Sequence, residues 1–112
     1  MLDAYASAGI LTLCLGLGAA AAAASATEFD AEHTAALERL VIQDCGSCHG
    51  LTLKGGLGPD IRAETLAGTD PETLTTIILD GVPGTAMPPW RPLLSEEEAQ
   101  WISEYLLRQP AR

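Results

Sequence analysis

Cys45-Gly46-Ser47-Cys48-His49 places two thiols three positions apart and an imidazole directly after the second. This is C-x-x-C-H, the pattern for covalent attachment of a c-type haem. Two thiols add across the two vinyl groups of the porphyrin, and the two intervening residues set the reach between them. A histidine directly after the second thiol lies where a ring nitrogen can meet the iron. Three other chemistries use similar spacings. A thioredoxin-like redox pair requires a βαβ setting. A structural zinc site requires four ligands, and the other Cys and His residues are only Cys14 and His33. A plain Cys45–Cys48 disulfide leaves His49 without a role. Haem attachment accounts for all three side chains.

A second candidate iron ligand lies downstream in Gly81-Val82-Pro83-Gly84-Thr85-Ala86-Met87-Pro88-Pro89-Trp90. Three prolines and two glycines keep this stretch out of a helix. A thioether held there is a soft neutral ligand, and paired with His it raises the potential of haem iron; filling a packing gap is the other use of Met. A ligating histidine needs its second ring nitrogen hydrogen-bonded to fix its orientation. The loop from Gly50 to Gly58 ends at Gly58-Pro59, and the Pro59 carbonyl is the candidate acceptor for His49. Trp90 can pack at the haem edge, and Arg91 either pairs with a propionate or is solvated. His33, among Glu32, Thr34 and Glu38, reads as a surface histidine rather than a ligand, and Lys54 as a solvated loop residue.

The chain has 112 residues, 15 acidic and 6 basic, with a formal charge of −9. That balance excludes a nucleic-acid binder, which needs a basic face, and fits a basic partner. Ile10 to Ala24 is an apolar run ending in Ala24-Ser25-Ala26, a small-x-small cleavage signal. We read residues 1–26 as a secretory signal peptide and residues 27–112 as the mature domain, without stable membrane insertion. The n-region departs from the usual pattern: Asp3 is present and no Lys or Arg precedes Ile10. The alternative is an uncleaved anchor, though the run is short of the ~20 apolar residues a spanning helix needs. Cys14 leaves with the signal. The mature chain then has Cys45 and Cys48 as its cysteines and Met87 as its methionine. So small a domain buries little core, and a covalent cofactor supplies what is missing.

Local signals place the elements around these residues. Ala36, Leu37, Leu40 and Val41 form an apolar stripe that predicts a first helix over Glu28 to Asp44, capped by Thr27 or Asp30 and leading into Cys45. The glycines at 50, 55, 56 and 58 predict a tight loop. Residues 63–67 suggest a helical turn. Asp70-Pro71-Glu72 opens a helix that stops at Gly81, with Leu74, Ile77 and Ile78 inward. Ser95-Glu96-Glu97-Glu98 is a capping box for a last helix whose Trp101, Ile102, Tyr105 and Leu106 share one face and which Pro110 closes. This helix is expected to cross the first.

A helix running into C-x-x-C-H, a Gly-Pro loop, a Met-Pro loop and a C-terminal helix with an aromatic-Leu face resemble a class I cytochrome c over nearly all of residues 27–112. The resemblance implies an all-α fold of three to four short helices around one covalently attached haem c. Cys45 and Cys48 would hold the haem, His49 and Met87 would ligate its iron, and Pro59 would accept from His49. The loops Gly50–Pro59 and Leu79–Trp90 resemble those of small periplasmic NirC-type cytochromes, which are associated with dissimilatory haem-containing nitrite reductase. That implies a monomeric periplasmic electron carrier of denitrification, not an enzyme, serving redox partner proteins such as nitrite reductase. An accessory role in nitrite reductase or haem maturation is the alternative; a sensor or peroxidase would require Met87 to leave the iron.

Overall fold

Asp30 starts the first helix: its carboxylate accepts from the His33 amide at 2.8 Å, satisfying one of the orphan donors of a helix N-terminus. The computed structural model describes residues 28–109. The expected signal peptide, with Cys14, and Pro110 lie outside the described residues. Helix α1 (Ala31–Leu40) continues through a π-helical turn (Val41–Cys45) into α2 (Gly46–His49) as one rod. The first helix therefore begins later than expected and does not end before the cysteines. The motif is itself helical, and the rod stops at Gly50, whose φ of 85° breaks the helix. Leu37, Val41 and Gly46 are its buried residues. The step of five from Val41 to Gly46 is absorbed by the π turn, in which the Gly46 amide donates to the Val41 carbonyl.

A short turn, α3 (Ala63–Leu66), leads to α4 (Pro71–Asp80). Asp70 caps α4 by accepting from the Thr73 amide at 2.9 Å, and Pro71 occupies its first turn. Helix α5 (Glu96–Arg108) opens with a reciprocal capping box between Ser95 and Glu98. No strand is present among the described residues.

The core lies where these helices meet. Leu37 and Val41 come from the first rod and Leu53 from the glycine loop. Leu74, Ile78 and Leu79 come from α4, Leu94 from the following loop, and Ala99, Ile102 and Leu106 from α5. Ile102 and Val41 are at most 1% exposed. The main packing partner of α5 is α4, with a lesser contact to α1. At the α4–α5 crossing the buried Thr75 and Ser103 hydroxyls are 2.9 Å apart. His33 is not merely solvated: its Nε2 lies 2.7 Å from Glu98 Oε1 and ties α1 to α5. Phe29 packs on its ring. Trp101 and Tyr105 stack at 5.0 Å, half-buried beside the core.

Candidate haem-binding site

Two loops, each leaving a helix C-terminus, face one another across an apolar cleft. The last carbonyls of α2 would be unsatisfied at the helix end. Gly55 and Gly58 donate their amides to the His49 and Cys48 carbonyls at 2.7 and 2.8 Å, so the glycine loop curls back over the motif. This brings Pro59 under the histidine, whose Nδ1 donates to the Pro59 carbonyl at 2.7 Å. With Nδ1 carrying the proton, Nε2 keeps its lone pair. Gly58 lies flat against the same ring: a Cβ there would sit 2.7 Å from both Nδ1 and Cε1 of His49.

The second loop repeats the device at α4. Gly81, Trp90 and Arg91 donate their amides to the carbonyls of Ile77, Ile78 and Leu79 at 2.9 to 3.1 Å. The segment between is pinched at its base by the Val82 amide donating to the Met87 carbonyl at 3.2 Å. Gly81 (φ 67°) allows the pinch, since a Cβ there would lie 2.6 Å from the Met87 carbonyl oxygen. Met87 is half-buried. Arg91 pairs with Asp80 at 2.8 Å and closes the base of the loop.

Cys45, Cys48, His49 and Met87 all line one cleft of about 610 Å³, within the ~300–1,000 Å³ typical of cofactor and ligand sites. Leu66 of α3, Leu74 and Ile78 of α4, and Ile102 and Leu106 of α5 supply its apolar wall, and Trp90 and Pro59 lie at its margin. A second depression of about 480 Å³, between residues 28–29 and the outer face of α5, is walled by Glu28, Glu97 and Glu104 and offers no sulfur or imidazole.

The alternatives for the two thiols can now be judged. The surrounding fold has no βαβ unit among the described residues. Burial, with the Asp44 carboxylate beside it, pushes the Cys45 thiol up to about 11, whereas a redox-active pair needs a depressed thiol. Among the described residues no three His, Cys, Asp or Glu side chains gather as a zinc site requires. Cys45 and Cys48 are both free thiols. A flat apolar ligand fits instead: the cleft is lined by aliphatic side chains, both thiols open into it, one imidazole has a free ring nitrogen, and a thioether borders the same space.

The sequence reading missed two contributors. Gly58 reads as one glycine of a tight loop, and its packing on the His49 ring is a tertiary contact. Thr85, whose hydroxyl donates to the Val82 carbonyl at 2.7 Å, gives no signal beyond being a polar loop residue. Arg91, read as a propionate partner or a solvated residue, is engaged by Asp80 instead. The Pro59 carbonyl was legible because a ligating imidazole demands an acceptor near it.

Comparison with known proteins agrees with this geometry. Residues 32–106 match the family model described as cytochrome C oxidase, cbb3-type, subunit III. The chain is 61% identical over 79 residues to cytochrome c55X of Paracoccus denitrificans, covering 70% of this chain and 77% of that protein. It is 51% identical over 78 residues to cytochrome c55X of Pseudomonas aeruginosa, covering 70% and 66%. Among solved structures, the c-type cytochrome NirC superposes with a TM-score of 0.68 at 49% identity, covering 70% of this chain and 93% of that one. Dihydro-heme d1 dehydrogenase NirN superposes with a TM-score of 0.61 at 35% identity, but over only 16% of its own length. The matched span contains both cysteines, His49, Pro59 and Met87, and with identities this high the chain belongs to the class I c-type cytochromes, in the family of cbb3-type oxidase subunit III domains.

Proposed function

We propose that this chain is a periplasmic single-electron carrier with one covalent haem c, serving a nitrite reductase system. The observation that carries the reading is the convergence on one apolar cleft of His49, oriented by Pro59, with Met87 and both cysteines. The haem supplies the one-electron Fe(III)/Fe(II) couple. Cys45 and Cys48 would hold it through thioethers, and His49 Nε2 and the Met87 sulfur would ligate its iron. The Pro59 carbonyl keeps the His49 proton on Nδ1 and the ring plane fixed, so little rearranges on electron transfer. The aliphatic wall excludes water, and the Met/His pair biases the couple toward a high potential. With both His49 and Met87 on the iron, the site would offer substrate no open position, which favours a carrier over an enzyme.

The mouth of the cleft suits brief docking. Leu57 is 80% exposed there, and Val82 and Ile77, which line the same cleft, are also exposed. Asp60 in the lining pairs with Arg62, and the exposed Asp44 adds a second carboxylate to the lining. A weak redox encounter on a small apolar surface fits, with the net negative charge favouring a basic partner. Export through a leader at residues 1–26 matches haem attachment outside the cytoplasm. The similarity to NirC and to a segment of dihydro-heme d1 dehydrogenase NirN supports a place in the nitrite reductase and haem d1 system.

Visible spectra of the periplasmically expressed protein, wild type and Met87→Ala, test the ligation. The expected result is a sharp reduced α-band, and a far-red Met-to-Fe(III) band that disappears in the variant. Covalent haem without that band in wild type would remove Met87 as a ligand and reopen catalysis or sensing. The NirN similarity also favours a second reading, an accessory role in maturation of the nitrite reductase cofactor. A deletion strain separates the two: loss of the special haem indicates maturation, whereas loss of electron supply to an intact reductase indicates the carrier.

A further inference from the structure

None of residues 82–86, which lead up to Met87, belongs to the buried core. Pro83 and the Pro88-Pro89 pair stiffen the flanks, but Gly84 between them has a φ of 78° and no neighbour within 4 Å of a Cβ placed on it. One side chain bridges this stretch. The Thr85 hydroxyl donates to the Val82 carbonyl at 2.7 Å and accepts from the Met87 amide at 3.3 Å. The Thr85 amide donates to the same Val82 carbonyl at 3.1 Å. A single hydroxyl thus joins the first residue of the loop to the residue that presents the thioether, and Thr85 itself borders the cleft.

From this bridge we infer that Thr85 is a positioning residue for Met87, setting how firmly the thioether is held against competing ligands. The inference rests on the reading of Met87 as an axial ligand. Its chemical basis is narrow: the position needs one group that donates and accepts at once, which Thr and Ser offer and Val does not. Removing the hydroxyl leaves the Met87 amide without this partner, while the backbone bonds from the Val82 amide to the Met87 carbonyl and from the Thr85 amide to the Val82 carbonyl remain.

The test is imidazole titration of the oxidised, haem-loaded full chain, following loss of the far-red Met-to-Fe(III) band. Thr85→Val keeps the side-chain shape and removes the hydroxyl; Thr85→Ser keeps the hydroxyl. Imidazole is expected to bind the Val variant roughly three- to tenfold more tightly than wild type, the scale of one hydrogen bond's net contribution. The Ser variant should stay close to wild type, and all three proteins should keep both thioethers by mass. A Val variant with wild-type imidazole affinity overturns the inference. Hydrogen exchange of the Met87 amide in wild type tests the bridge even if the Val variant does not fold. Slowed exchange supports the bridge, and exchange at the rate of an unbonded amide overturns it. A wild-type protein lacking the far-red band would instead refute the ligand reading beneath it, with the exchange measurement still reporting on the bridge.

Discussion

His49 is held from two directions by groups that have no reactive chemistry. The Pro59 carbonyl fixes the proton on Nδ1, and Gly58 lies against the ring face. The role of Gly58 is steric, since its φ lies outside the left-handed range. Any Cβ must displace the ring or push the loop away from the Cys48 carbonyl that the Gly58 amide satisfies. Gly58→Ala is therefore expected to cost about 1–3 kcal/mol, the range for overpacking a filled site, and to shift the reduction potential because the imidazole tilts. Chemical denaturation and a redox titration of the variant check this; an unchanged potential would show that the ring does not need this contact. Pro59 was legible from chemistry alone, because a ligating imidazole requires an acceptor. Gly58 was not, because a missing side chain leaves no mark of what packs against it.

The starts of α4 and α5 were legible because Asp70 and Ser95 each bond an amide three residues on, and a cap read from four residues needs no tertiary knowledge; for α1 Asp30 was one of two candidate caps, and the helix starts at Ala31 rather than Glu28. What the apolar stripes could not tell is which helix pairs with which. The face of α5 suits α1 or α4 equally well, and it is chiefly α4 that packs there, through the Thr75–Ser103 contact. The π turn was hidden for another reason. The buried residue that reveals the step of five is Gly46, which is invisible in a hydrophobic pattern. The same chain solution recurs at the two loops that border the cleft: a helix ends, its orphan carbonyls draw the following loop back, and that loop brings Pro59 or Met87 to the cleft lining. Gly81 is the hinge of the second case, combining a left-handed φ with backbone contact to Met87 and Pro88. Gly81→Ala should cost about 2 kcal/mol from strain at such a position, lowering the melting temperature by roughly 8–16 °C in a domain of this size. The far-red Met band should weaken before the helices melt. A variant whose band and helices are lost together would show that the loop is not an independent element.

Charge acts on the molecule as a whole, first through stability. The Glu98 carboxyl is held below its ordinary range, chiefly by the Ser95 amide and further by His33, and Asp60 is held well below it by Arg62. A carboxylate depressed in the folded state contributes stability that is complete above its unfolded pKa of ~4 and is lost as pH falls through the lower folded value. The protein should therefore lose stability below about pH 4, and Glu98→Gln should flatten that decline, as thermal melts across the acid range can show. The larger consequence concerns encounter. The net negative formal charge surrounds a cleft whose lining is mainly apolar, so charge steers from a distance while Leu57, Val82 and Ile77 make the contact. The screening length shrinks from ~30 Å at 0.01 M salt to ~8 Å at 0.15 M. Electron exchange with a lysine-rich redox protein should slow on the order of tenfold over that range, and exchange with an anionic oxidant such as ferricyanide should accelerate. Leu57→Ser should lower the protein-partner rate at every salt concentration while leaving the small-anion rate nearly unchanged, because only a protein partner covers the apolar mouth. Stopped-flow measurements on both oxidants decide the matter. A ferricyanide rate that falls with salt would mean that the local field at the mouth is positive despite the net charge, and the partner would then have to present an acidic face.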